Sequence, residues 1–264
     1  MTRDDAATGR RSGELRSTDR GAAVGSEPSG HDRRSGEVRS LATPTVSGGP
    51  PLVLLAIATT ALFLASVPLG FLLAGDVPPS PFASSGRVVE YYSEAGAAVN
   101  MMALLQFGSA MPFIAFAATT WTRMRSLGVQ AAGPGIAFGG AIVSGSCLVV
   151  SALTRWTLAD PPAEPGVVNA LHDLSFIFGG PGTVVPFALL LAGIAIPAGF
   201  GRLLSRLVVV TGLVLAGIAV LSSLTLVVEG ASYVLLPVAR FGGLAWLIVV
   251  GAQLPKPRPE LAWE

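Results

Sequence analysis

Five ionisable side chains stand at the ends of apolar stretches or inside them: Glu94, His172, Asp173, Glu229 and Arg240. Each type brings a definite chemistry. A histidine beside a carboxylate suits acid–base work. A carboxylate such as Glu94 suits the start of a helix, where the dipole favours negative charge. An arginine inside an apolar run can snorkel to the interface, pair with a carboxylate or contact a ligand. His172 and Asp173 adjoin in "HDLSF". Neighbours on a helix point about 100° apart, so adjacency alone does not make them a dyad.

Other chemistries find little support. The stretch "GGPG" at Gly179–Gly182 has no following lysine, so it is not a phosphate cradle. There is no Gly-x-Ser-x-Gly elbow, and "VSGSCL" is only a run of small residues. The single cysteine, Cys147, allows neither a disulfide within the chain nor a cysteine-based metal site. The two histidines are His31, in a polar tail, and His172. A haem with two axial histidines needs both on apolar helices, so no cofactor is expected.

These side chains need elements to position them. Of the 264 residues 51% are hydrophobic and only 12% charged, more apolar surface than one soluble core can hide. The bilayer is therefore the expected solvent and partner. The net charge of +1 gives no indication of nucleic acid, and none is expected. Eight of the 17 Lys and Arg residues lie at or before Arg39. Residues 1–48 contain scarcely an apolar cluster, so this tail is expected to be disordered and cytoplasmic. Residues 49–254 are expected to form an all-α, polytopic bundle of about six spans, and 255–264 a short cytoplasmic tail.

Span one is expected over Pro51–Gly75, with Pro68 inside it. A polar loop carrying Asp76, Arg87 and Glu90 follows. Span two is expected from Ala95 to Trp121, opened by Glu94 and interrupted by Asn100, Gln106 and Pro112. Interhelical hydrogen bonds are the first reading of Asn100 and Gln106; the second is that they line a cavity. Span three runs from Gly133 to Leu153, where Gly135 and Gly139 have the spacing of a close helix approach. Arg155 falls in the loop after it. Val167–Phe200 covers about 50 Å, too long for one straight span, so it is split at the glycines. Val167–Phe178 becomes a short helix at the membrane face or a kinked first part, and Thr183–Ala198 the deep part of span four. Leu207–Val228 is span five, and span six ends near Leu254.

The loop charges then alternate. Arg123 with Arg125, Arg202 with Arg206, and Lys256 with Arg258 fall on one side, with the N-terminal tail. Asp76, Glu90, Glu94, Asp160, Glu164 and Glu229 fall on the other, against Arg87 and Arg155. Basic short loops favour the cytoplasm, so an inner (plasma) membrane protein with both termini cytoplasmic is expected.

The segments "GRVVEYYSEAGAAVNMMALL", "TRMRSLG", "GFGRLLSRL" and the ending "WLIVVGAQL" give the chain a resemblance. From about Pro51 to Leu254 it resembles a group of bacterial six-span membrane proteins of the high-GC type, whose domain has no assigned function. The resemblance implies a fold and a membrane location and no chemistry.

Arg240 lies about 20 Å along a helix from Leu254, in the outer third of the hydrocarbon core. Three readings follow: a snorkelling anchor; an ion pair with Glu94, Asp173 or Glu229; or a ligand contact in an outward-facing polar cavity. Glu229 is the weakest of the three partners, since about 16 Å of helix would separate it from Arg240. The leading function is a non-enzymatic structural or accessory membrane module that assists a partner protein or the envelope, the partner being another membrane protein or a second copy. The alternatives are a small-molecule permease and a membrane enzyme using His172 and Asp173.

Overall fold

The computed structural model describes residues 50–228, 230 and 233–256. The tail 1–48 and Glu229 lie outside the described residues. Eight α-helices follow in order: α1 Leu52–Ala74, α2 Ser85–Glu94, α3 Gly96–Ser126, α4 Gly133–Thr157, α5 Pro165–Gly179, α6 Pro181–Phe200, α7 Arg206–Leu221 and α8 Leu235–Gln253. A 3-10 turn, Ser222–Leu226, extends α7. The described residues are all-helical, as expected. Counting α5 and α6 as one interrupted unit, six helices are long and apolar enough to cross a membrane.

The six form a closed ring in chain order. α1 packs on α3, α3 on α4, α4 on α6, α6 on α7, α7 on α8, and α8 returns to α1. α6 also touches α8, which draws it inward. Its Val184, Leu190, Leu191, Ile194 and Ala198 are fully buried. The outward residues are apolar too, among them Leu54, Leu72, Leu104, Leu153, Leu207 and Val214. That is the pattern of a bundle whose surroundings are as apolar as its core. The antiparallel order puts Arg123, Arg125, Arg202, Arg206 and Lys256 at one end, here the basic end. Asp76, Glu90, Glu94, Asp160 and Glu164 mark the acidic end.

The expected split of the fourth span is present, and the residues explain it. Pro181 opens α6, where its missing N–H costs nothing. A residue before proline is disfavoured in the α region, and Gly180 accordingly leaves it, with φ −86° and ψ −107°. The freed backbone groups are then taken up locally. Gly180 N–H donates to Phe176 O at 2.6 Å. Thr183 Oγ1 donates to Phe178 O at 2.7 Å, and Ser151 Oγ of α4 to Ser175 O at 2.8 Å. Ser144 Oγ, also of α4, donates to Thr183 O at 2.7 Å.

Two expectations need correction. The first loop is not wholly irregular, since it contains α2. Val88, Tyr91 and Tyr92 are buried there while Arg87, Glu90, Ser93 and Glu94 are exposed. Ten amphipathic residues carry no membrane-length apolar run, so hydropathy passes over them. Glu94 therefore ends α2 rather than opening the second span. The second correction concerns Gly135 and Gly139. A Cβ at either would meet nothing within 4 Å. The close approach is made by Gly133 and Gly140, with Ala137 and Ser144 on the same stripe. A Cβ on Gly193 would lie 2.6 Å from Gly133 O and 2.8 Å from Ala137 N. These are backbone atoms, which cannot give way.

Gly193→Ala is thus expected to destabilise the bundle by about 1–3 kcal/mol, as overpacking does. Gly139→Ala is expected to be neutral, or stabilising by up to about 1 kcal/mol from helix propensity. Reversible unfolding of the purified protein in mixed micelles would measure both.

Candidate functional site

A cavity of about 220 Å³ opens beside the break at Gly180, walled by α3, α4, α5 and α8. Gln106, Ser151, Arg155, Ser175, Gly180 and Arg240 supply its polar lining. Phe176, Leu236 and Phe241 supply apolar walls. Arg240 is five residues into α8 and Gln106 ten residues into α3. The cavity therefore lies about 7–15 Å below the acidic-end helix termini.

Arg240 is weakly compensated. Its Nη2 reaches Gly180 O at 3.5 Å, the outer limit of a hydrogen bond. Its Cζ stands 5.1 Å from the centre of the Phe63 ring, a cation–π contact. Its Nε is buried and has no partner. The expected ion pairs with Glu94 and Asp173 are not formed: both carboxylates are exposed and neither lines the cavity. The third expected partner, Glu229, lies outside the described residues. Among the described residues the ion pair is Arg87 with Asp76, on the surface.

Arg155 is the residue that sequence reasoning missed. Hydropathy alone leaves it in a loop, because the apolar run ends near Leu153. α4 continues to Thr157, so Arg155 stays on the helix, one turn beyond Ser151 on the same stripe. Its guanidinium makes no hydrogen bond or ion pair among the described residues. The i, i+4 spacing of Ser151 and Arg155 was the available signal. Gln106 is 7% exposed, and its Oε1 is buried without a partner. The expected interhelical hydrogen bond is not made. Asn100 is exposed on a lipid-side groove between α3 and α4 instead.

His172 and Asp173 make no hydrogen bond to each other, and Asp173 is exposed. His172 is buried at 7% exposure, with Nδ1 3.0 Å from Tyr92 Oη and Nε2 3.4 Å from Ser80 O. With Tyr92 donating to Nδ1, Nε2 carries the proton and donates to Ser80 O. Tyr92 also packs edge-on to the imidazole, with ring centres 5.7 Å apart. His172 is thus a clamp that docks α2 and the preceding loop on α5. The same loop sets Phe82 against Phe176 and Tyr233, with ring centres 6.2 Å apart in each pair. A cover is thereby built over Phe176, a wall of the cavity. On that cover, Arg87 hydrogen-bonds Asp76, and this with the Val77 N–H holds the Asp76 carboxyl below its usual range. A lowered carboxyl contributes stability above its unfolded pKa and loses it as pH falls through the folded one. The pair is solvated, so the contribution is small.

Searches of protein-family models, of curated proteins and of solved structures find no match to this chain. Fold and site alone define the class. This is an integral membrane protein of six apolar helices in contact with lipid, with a small cavity beside an interrupted helix.

Tyr92→Phe is expected to cost about 1 kcal/mol, by leaving His172 Nδ1 buried without a donor. It should also speed proteolysis between Asp76 and Ser85, with little change in the six long helices. Limited proteolysis with mass-spectrometric readout measures it.

Proposed function

We propose that this protein is a non-enzymatic module of the inner (plasma) membrane that holds a small hydrated recess open to the outer side, with both termini cytoplasmic. The observation that carries this is Arg155 and Arg240 lining one cavity with no carboxylate in it among the described residues. An arginine at membrane depth without a counter-charge needs water or a ligand. The basic end carries Arg123, Arg125, Arg202, Arg206 and Lys256, which favours placing that end in the cytoplasm. The acidic end, with the recess, then faces outward. The resemblance to six-span proteins of the high-GC bacterial type agrees with a membrane location. The role is accessory or structural, exercised on a ligand or on a partner protein, a second copy included.

A permease is the second reading, and one observation favours it. The interrupted helix α5–α6 lines the recess, and discontinuous helices commonly line substrate sites. Solute uptake by vesicles separates the two. Against the enzyme reading, His172 is buried and engaged by Tyr92 in the clamp just described, while Asp173 is exposed. For it to revive, His172→Ala would have to abolish an activity at unchanged expression.

With Cys147 replaced by serine, Arg240→Cys is expected to react rapidly with a membrane-impermeant thiol reagent added to spheroplasts. A folded, inserted protein that stays unlabelled would refute the outward-open recess. A reporter fused after Glu264 is expected to be active only in its cytoplasmic form. Activity confined to the outside would invert the topology.

A further inference from the structure

We infer that the recess is an oxyanion site, taking the carboxylate or phosphate group of a compact ligand between Arg155 and Arg240, with the Gln106 amide as a third, neutral partner. The inference rests on the outward-open recess proposed above and names its ligand class.

Charge decides first. Two arginines and no acid are among the described lining residues. A cation would be repelled by both, and an apolar guest would leave both unpaired. A guanidinium offers five donors, and Arg240 commits one of them, weakly, to Gly180 O at 3.5 Å. Arg155 commits none among the described residues. Planar, forked donors of this kind match the geometry of carboxylate and phosphate oxygens.

The third partner is an independent observation. Gln106 is more than nine-tenths buried at 7% exposure, and it lines the same cavity with its Oε1 unpartnered. A buried amide oxygen left in this state costs about 1–3 kcal/mol, which a hydroxyl of the guest or an accompanying water would recover by donating to it. Rotation of the amide offers either its NH₂ to an anionic oxygen or its oxygen to a hydroxyl of the guest or of water. Ser151 and Ser175 are already engaged with each other's backbone, which leaves the two arginines and Gln106 to do the binding.

Size decides next. A volume of about 220 Å³ is below the usual range of about 300–1,000 Å³ for drug-sized ligands. It equals about seven waters at liquid density. The guest is a small ion with a few waters, or the anionic head of a larger molecule. The second source is a lipid headgroup, since the recess lies within reach of the membrane interface.

The test uses the full chain in nanodiscs of zwitterionic lipid, with thermal unfolding read against sodium phosphate or sodium acetate at ionic strength matched by sodium chloride. A second arm keeps the salt fixed and adds phosphatidylglycerol to the discs. Saturable stabilisation in the first arm assigns a free oxyanion; stabilisation only in the second assigns a lipid headgroup. Either supports the proposal if Arg155→Gln weakens the apparent affinity by at least about tenfold, as loss of a charge-assisted contact should. Gln106→Leu keeps the fold without an orphaned polar atom, and is expected to weaken the same response several-fold. It also serves as the second variant if Arg155→Gln does not fold. No stabilisation in either arm, or equal stabilisation of wild type and both variants, overturns the oxyanion assignment. If Arg240→Cys is then still labelled from outside, the assignment alone falls. If it is not, the outward-open recess falls with it.

Discussion

A backbone carbonyl or amide in lipid has no water to bond, so a helix interrupted inside a membrane must satisfy its freed groups from neighbouring protein. The break at Gly180 imposes this constraint, and much of the structure follows from it. Ser144 and Ser151 of α4 and Thr183 of α6 send their hydroxyls to backbone oxygens around the break. For those hydroxyls to reach, α4 must lie hard against α5 and α6. Its stripe of Gly133, Ala137, Gly140 and Ser144 permits that, continued by Ser151. The stripe and the break are complementary parts of one solution.

The break also explains the recess. α5 leaves the axis of α6 to pack on α4 and on α2, so the wall between α3, α4 and α8 is left incomplete at that depth. Arg240 projects into the gap and touches Gly180 O and the Phe63 ring, contacts too weak to balance its charge. An arginine placed only to bind the broken helix would sit closer to its carbonyls and would not share the gap with Arg155. The cover of α2, Phe82 and Tyr233 lies against Phe176, one wall of the recess, and His172 and Tyr92 fasten it.

Much of the fold was legible because lipid makes long apolar runs mandatory. The bundle of six long apolar helices and the division of the fourth were legible, since a Gly-Gly-Pro-Gly string cannot continue a helix unaltered, but the second and third helices run on past Trp121 and Leu153 to Ser126 and Thr157. What escaped depends on tertiary neighbours. α2 is too short and too polar for hydropathy, and its buried Val88, Tyr91 and Tyr92 acquire meaning only against α3 and α5. Gly135 and Gly139 carry the familiar spacing, but the helix turns that face to open space and uses Gly133 and Gly140. Arg240 was marked as a site candidate from its depth alone. Its companion Arg155 was not, because the end of an apolar run was taken as the end of a helix. Gln106 was noted as a possible cavity residue, but its lack of any partner is visible only in three dimensions.

The central claim is that Arg240 stands in a wet, uncompensated recess at membrane depth. Water-edited solid-state NMR of the protein in bilayers, with arginine labelled in the guanidinium, addresses this without altering the residue. Deletion of the Arg240 signal in an Arg240→Lys sample assigns it. The expected result is transfer from water to Arg240 nearly as fast as to the exposed Arg87. Transfer as slow as to the buried methyls of Leu190 and Leu191 would contradict the account and leave Arg240 a dry structural pin.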